Sequence, residues 1–214
     1  MNTATFSLAT LAPAIPEIAL LALASALLVI DLFVAERDKH VTFWLAVASL
    51  LGTAALAAAS VGAPSALTFQ ATFVADPMSQ VLKVAALLAV ATTLVYSRVY
   101  LQARELLRGE FLCLSLFATL GMMVMISAHH FLTLYLGLEL MALSQYAMVA
   151  LQRDSVRATE AGMKYFVLGA LSSGLLLYGL SMIYGATGSL ELTRVAFAIE
   201  HNQAHQVLAV FGLV

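Results

Sequence analysis

The chain has 214 residues, of which 62% are hydrophobic and only 10% are charged. A soluble domain usually carries about 25% charged residues, so this composition indicates a membrane protein and excludes an ordinary soluble domain. The net charge of −2 gives no reason to expect binding of nucleic acid. The single cysteine, Cys113, lies in an apolar run and is interpreted as a small core residue.

Six segments are apolar enough to cross a bilayer, which takes about 20 residues of helix. They are residues 14–34, 41–61, 77–97, 111–128, 131–151 and 161–185. A further apolar run begins near His205 and reaches the last residue. The predicted fold is all-α, a polytopic transmembrane helical bundle with six full spans and the start of a seventh. We expect residues 1–214 to form the N-terminal part of a single transmembrane domain that stops within a helix.

The cations of the predicted loops indicate the orientation of the chain. Seven lie in odd-numbered loops and one in an even-numbered loop, namely Arg37, Lys39, Arg98, Arg104, Arg108, Arg153 and Arg157 against Arg194. Cytoplasmic loops are enriched in Lys and Arg, so the N-terminus is predicted to be non-cytoplasmic. The first apolar run has no cation in front of it and is therefore predicted to be a retained span, not a secretory signal.

Several residues mark the ends of the predicted helices. Asp76 followed by Pro77 is a typical helix start, with the Asp as N-cap. Glu17 near the start of the first span is interpreted as a favourable charge at a helix N-terminus, and Asp31 as an interfacial charge. Residues 187–189 predict a turn that closes the sixth span.

Two charges inside consecutive spans are the first candidate functional residues. Glu139 lies near the middle of the fifth span, and Lys164 lies about one turn inside the sixth. A charge at membrane depth costs roughly 2.5–3.5 kcal/mol on insertion scales, so it persists when it is paired, hydrated or used. In an antiparallel hairpin the two α-carbons would differ in depth by about 7–8 Å, which side chains or a few waters can bridge. The pattern indicates a proton or ion path.

Each of these charges also has a structural interpretation. Glu139 would then be protonated or salt-bridged and would only fix helix packing, while Lys164 would extend its ammonium to the headgroups. Tyr135 and Tyr146 share the helical face of Glu139 and are secondary candidates, because their hydroxyls are able to hydrate or hydrogen-bond the carboxylate.

Three further residues are weaker candidates. Lys83 lies about six residues inside the third span, where snorkelling to the interface explains it adequately. His129 and His130 are adjacent, so their side chains point apart, and no third ligand is near in sequence. A tight, partly wet loop is the favoured interpretation of the histidines and a proton exit the alternative. No metal site and no cofactor-binding motif is predicted.

The fifth and sixth spans carry a family resemblance. The stretches LTLYLGLELMALSQYAMVAL and RATEAGMKYFVLGALSSGLLLYGL resemble the antiporter-like proton-translocating subunits of bacterial NADH:quinone oxidoreductase, respiratory complex I. The GMKYF lysine followed by GALSSG resembles the subunit N branch in particular. By this resemblance Glu139 and Lys164 match a glutamate and a lysine in a central chain of charged residues that carries protons or couples neighbouring subunits.

The resemblance implies a non-redox subunit of a translocase in the bacterial inner membrane. NADH, flavin, iron–sulfur clusters and quinone would then bind to partner subunits, and the partners of this chain would be other membrane subunits of the same complex and the lipid bilayer. Two alternatives stay open: a subunit of a cation/proton antiporter, and a structural membrane scaffold.

Overall fold

The computed structural model describes residues 11–34, 39–104, 106–201 and 204–214. These residues form eight α-helices and one β-hairpin, preceded by a 3₁₀ turn at Ala12–Ala14. In chain order they are α1 (Ile15–Phe33), α2 (Lys39–Ala59), β1 (Ala66–Thr68), β2 (Phe73–Ala75), α3 (Pro77–Ala103), α4 (Gly109–Ile126), α5 (Phe131–Val149), α6 (Val156–Thr187), α7 (Leu192–Glu200) and α8 (Gln206–Leu213). Arg37, one of the cations used for the orientation, lies outside the described residues.

The six predicted spans are confirmed as α1 to α6, since each of these helices is long and apolar enough to cross a membrane. The chain is therefore an all-α, multi-pass membrane protein. Helix α3 continues past the predicted end at residue 97 to Ala103, and α6 begins at Val156, five residues before the predicted 161. Both differences have the same cause: the prediction followed the apolar run, whereas a helix continues into the polar interface until a cap ends it.

Two helix ends follow the sequence closely. Asp76 forms a capping box at the start of α3, in which the Ser79 amide donates to Asp76 Oδ1 at 2.8 Å and the Asp76 amide donates to Ser79 Oγ at 3.1 Å. Gly188 ends α6 in the left-handed conformation with φ of 70°, which costs glycine little. The predicted helix start and the predicted turn are therefore confirmed.

A β-hairpin that the sequence did not predict lies between α2 and α3. Strands β1 and β2 pair in antiparallel register, with Leu67 opposite Val74. The three residues from Phe69 to Ala71 all have positive φ, a conformation that the sequence did not signal because none of them is glycine. Strand β2 is tied to the α4–α5 loop, since the Val74 amide donates to the Ser127 carbonyl at 2.8 Å.

Helices α1 to α4 enclose the main apolar core. Its fully buried members come from all four helices and include Leu20, Phe43, Leu50, Leu87 and Leu116. Helix α5 packs very closely on α4, because Gly121 and Gly137 lie face to face: a Cβ on Gly121 would lie 2.6 Å from the Gly137 carbonyl oxygen. This contact fixes the height and rotation of α5 against the core.

Helix α6 lies at the edge of the described bundle and exposes most of its surface. Its small residues have different surroundings: a Cβ on Gly169 would collide with the Tyr146 hydroxyl, Gly179 faces Gly212 of α8, and a Cβ on Gly174 would meet no atom within 4 Å. Helix α8 forms where the sequence predicts the start of a seventh span. The short amphipathic α7, which buries Val195 and Ala198, was missed because nine residues are too few to resemble a span.

Candidate functional site

Glu139 lies on α5, two residues after the glycine that contacts α4. Its side chain is half-buried, and its Oε1 atom is inaccessible and has no hydrogen-bond partner among the described residues. An unpaired carboxylate oxygen away from water is costly. The Oε1 atom is therefore free to accept a hydrogen bond from a water or from a group outside the described residues.

Lys164 does not contact Glu139. Its ammonium lies 2.5 Å from Glu160 Oε1, one helical turn earlier on α6, and the two side chains are 69% and 59% exposed. Lys164 therefore lies on the exposed side of α6, and its ion-pair partner Glu160 belongs to the same helix. The two sequence-predicted charges lie on neighbouring helices but are not brought together.

Neither of the two candidate tyrosines donates a hydrogen bond to Glu139 within the described chain. Tyr146 packs edge-on against the rings of Tyr165 and Phe166, and Tyr165 in turn donates to Gln145 Oε1 at 3.2 Å. Tyr135 packs against the apolar cluster formed by Leu180, Ile183 and Val195. These rings join α5 to α6 and leave the space around the carboxylate without a fixed donor.

His129 and His130 tie the α4–α5 loop to its neighbours. His130 caps α5, because its Nδ1 accepts from the Leu132 amide at 3.2 Å. His129 Nε2 lies 3.7 Å from Glu191 Oε1, and its amide donates to the Thr72 carbonyl at 3.0 Å. The described residues contain no group of three or more His, Cys, Asp and Glu side chains that could hold a metal.

The interpretation of Lys83 as a snorkelling residue is wrong. Its side chain is 0% exposed, and its ammonium lies 2.5 Å from Glu17 Oε1 on α1. The Phe73 ring of β2 covers the ammonium, with 5.0 Å from nitrogen to ring centroid. Glu17 is therefore more than a helix-dipole charge: it is the buried partner of a membrane lysine.

The sequence carries a weak signal for this second pair. Glu17 and Lys83 both lie close to the predicted non-cytoplasmic ends of their spans, Glu17 just inside α1 and Lys83 six residues inside α3. Opposite charges at similar depth on two spans are compatible with pairing. Which spans are neighbours is a property of the tertiary packing, and one sequence does not reveal it.

At the predicted cytoplasmic end, two cations, Lys39 and Arg98, make contacts between helices. Lys39 donates to both carboxylate oxygens of Asp31 at 3.0 Å, so the interfacial charge expected at Asp31 is paired. The Arg98 guanidinium, which lies within α3 and not in a loop, is 5.1 Å from the Phe43 ring and 5.4 Å from the Trp44 ring. These contacts join α1, α2 and α3 close to the membrane surface.

Comparison with known proteins gives a consistent result. Residues 128–214 match the family described as NADH:quinone oxidoreductase/Mrp antiporter, TM. NADH-quinone oxidoreductase subunit N of Thiobacillus denitrificans is 54% identical over 97% of this chain and 43% of the relative. The subunit N of Nitrosomonas europaea is 51% identical over 98% of this chain and 44% of the relative. The chain thus spans less than half the length of the curated relatives it matches.

Solved structures show the same fold. Respiratory complex I of Thermus thermophilus with bound aureothin contains a chain that superimposes with a TM-score of 0.69 at 29% identity, over 92% of this chain and 43% of that one. A chain of an archaeal membrane-bound sulfane sulfur reductase gives a TM-score of 0.66 at 22% identity, over 94% and 42%, and shows the fold alone. Together these similarities confirm the recognition made from the fifth and sixth spans: the chain is a homologue of subunit N in the antiporter-like family of NADH:quinone oxidoreductase.

Proposed function

We propose that this chain acts in proton translocation as a membrane subunit of proton-pumping NADH:quinone oxidoreductase, in the bacterial inner membrane, with Glu139 and Lys164 on the proton path. The observation that carries the proposal is the half-buried Glu139 carboxylate, one oxygen of which has no hydrogen-bond partner among the described residues, in a chain 51% identical to subunit N of Nitrosomonas europaea. The subunit itself would do no redox chemistry. Electron transfer from NADH to quinone, and the cofactors for it, would belong to partner subunits.

The roles of the two side chains follow from their surroundings. A mid-membrane carboxylate is costly as an unpaired charge, so its proton affinity depends on whether a cation or water is near. Lys164 is close to the predicted cytoplasmic end of α6 and has a long, exposed stem. If the Lys164 ammonium moved from Glu160 to a partner nearer to Glu139, the electrostatic field at the Glu139 carboxylate would change. This change would drive uptake or release of a proton by Glu139.

The test is proton pumping by the complete complex in membrane vesicles that carry Glu139→Gln. Positioned proton-transfer groups typically contribute about 10²–10⁴-fold to a rate, so we expect proton pumping to fall at least about tenfold and quinone-linked turnover to fall by a smaller factor. NADH oxidation by an artificial acceptor reports assembly and should be retained. Glu110→Gln is the matched control, because Glu110 is an exposed carboxylate paired with Arg153 at 3.2 Å in the first turn of α4. Unchanged pumping in Glu139→Gln would contradict the proposal.

A cation/proton antiporter subunit is the second candidate, and the matched family includes Mrp antiporters by its description. In that case sodium-dependent growth or sodium/proton exchange would follow the level of the protein in cells. A scaffold role predicts a third result: in Glu139→Gln the artificial-acceptor activity would fall together with pumping, because the complex would not assemble.

A further inference from the structure

The buried ion pair between Glu17 and Lys83 lies apart from Glu139 and Lys164, at the end of the bundle that the loop cations assign to the non-cytoplasmic side. Its lysine is fully enclosed by α1, α3 and the β-hairpin. Lys83 is the charged neighbour of Glu17, and its positive charge also acts weakly on the Asp76 carboxylate. Two carboxylates therefore share the field of one buried ammonium.

A cavity of about 240 Å³ lies one turn further toward the membrane surface. Its lining includes Pro13, one turn before Glu17, and Gln80, one turn before Lys83 on the same face of α3. Asp76 also lines it. Because a water occupies about 30 Å³ in the liquid, the cavity has room for several waters about one helical turn from the pair.

Gln80 is the observation that points to water in this cavity. Its side chain is 2% exposed, and its Oε1 atom has no hydrogen-bond partner among the described residues. Buried polar atoms of this kind are usually satisfied by ordered water. A water on Gln80 would lie one helical turn from the ion pair.

We propose that the Glu17–Lys83 pair is a proton-binding site that exchanges protons with the non-cytoplasmic side through this cavity. The inference rests on the proposed function and adds to it a second site. This site lies near the non-cytoplasmic side of the membrane, whereas Lys164 lies near the cytoplasmic side. In the loaded state Glu17 is a carboxylic acid beside the Lys83 ammonium. Release breaks the O–H bond of Glu17, a cavity water takes the proton as hydronium, and the net charge of the pair falls from +1 to 0; uptake is the reverse.

If the pair only stabilised the fold, different experimental results would be expected. A double variant distinguishes that structural role from proton exchange. Removal of one partner leaves a buried unpaired charge and risks failure to fold, whereas replacing both charges by uncharged residues is often neutral for stability. We therefore choose Glu17→Gln with Lys83→Met in the complete complex. We expect artificial-acceptor activity within twofold of wild type and proton pumping reduced at least about tenfold, on the scale typical of proton-transfer groups. Normal pumping in the double variant would overturn the proposal.

Loss of acceptor activity together with pumping would also overturn it, because the pair would then be needed for assembly. Glu139→Gln, measured in parallel, keeps this test distinct from that of the proposed function. If Glu139→Gln lowers pumping and the double variant does not, only the present inference fails. If neither affects pumping, both fail.

Water access is tested separately by cysteine labelling in a Cys113→Ala background. Gln80→Cys should react with a charged, membrane-impermeant thiol reagent added from the non-cytoplasmic side. Thr119→Cys is the matched control, because Thr119 is equally buried, at 0% exposure, but does not line the cavity. Failure of Gln80→Cys to react, or reaction from the cytoplasmic side only, would show that the cavity is no proton route.

Discussion

The contact between Gly121 and Gly137 gives a sharp prediction about how α5 is held against the core. In Gly137→Ala the new Cβ would lie 2.8 Å from the Gly121 carbonyl oxygen and 2.9 Å from the Met125 amide nitrogen, where ordinary van der Waals contact begins at 3.4 Å. Both obstacles are backbone atoms of a packed helix, so the helices must separate. Overpacking of this kind costs about 1–3 kcal/mol.

Gly174→Ala is the matched control, because it makes the same chemical change in a neighbouring span where no atom lies within 4 Å of the new Cβ. Alanine is favoured over glycine in a helix by about 1 kcal/mol, so this variant should be neutral or slightly stabilising. The assay is the temperature at which half of the complete membrane protein in detergent is lost from the folded peak in size-exclusion chromatography. Equal midpoints for the two variants would refute the close packing of α4 and α5.

Two further predictions concern charges at the non-cytoplasmic end. Asp76→Ala should lower stability by about 1 kcal/mol, as loss of an N-cap does, and Pro77→Ala beside it should have a smaller effect in the same melting assay. Hydrogen bonds from Ser79 lower the pKa of Asp76 below its usual 3.8. The cap therefore stabilises the folded protein fully above pH 3.8, and this stabilisation is lost as the pH falls through the lower pKa of the folded state. Equal dependence of the melting midpoint on acid pH in Asp76→Ala and wild type would contradict this role of the cap. Lys83→Met alone should destabilise by about 3–5 kcal/mol, since it leaves Glu17 buried without its cation; a loss no greater than that of the double variant would contradict the buried pair.

Much of the fold could be predicted because the bilayer imposes a simple rule on the sequence. Each span needs a long apolar run, and Asp76 and Gly188 mark helix ends through local hydrogen bonds and backbone conformation. The hairpin could not be predicted, because Phe69 to Ala71 take a left-handed conformation and the contacts that hold the hairpin are made with the α4–α5 loop, which is distant in sequence. The same holds for α7, whose apolar face is short and is completed by neighbouring helices.

The candidate site shows the limit of reasoning from charge alone. The sequence identifies Glu139 and Lys164 as candidates, because a charged residue within an apolar span is rare and costly. Their partners depend on tertiary packing: Lys164 binds Glu160 on its own helix, and Lys83 reaches Glu17 on a helix distant in sequence. The sequence predicts the depth of each charge along its span. It does not predict which helices are neighbours or toward which neighbour a side chain points.

The ratio of protons pumped to NADH oxidised, in vesicles carrying the complete complex with Glu139→Gln, tests the central claim most directly. The ratio is insensitive to the amount of complex in the membrane, so it separates a proton-path residue from a packing residue. The account predicts a ratio clearly below that of wild type and of Glu110→Gln, with artificial-acceptor activity retained. A wild-type ratio in Glu139→Gln would contradict the claim that the buried carboxylate carries protons.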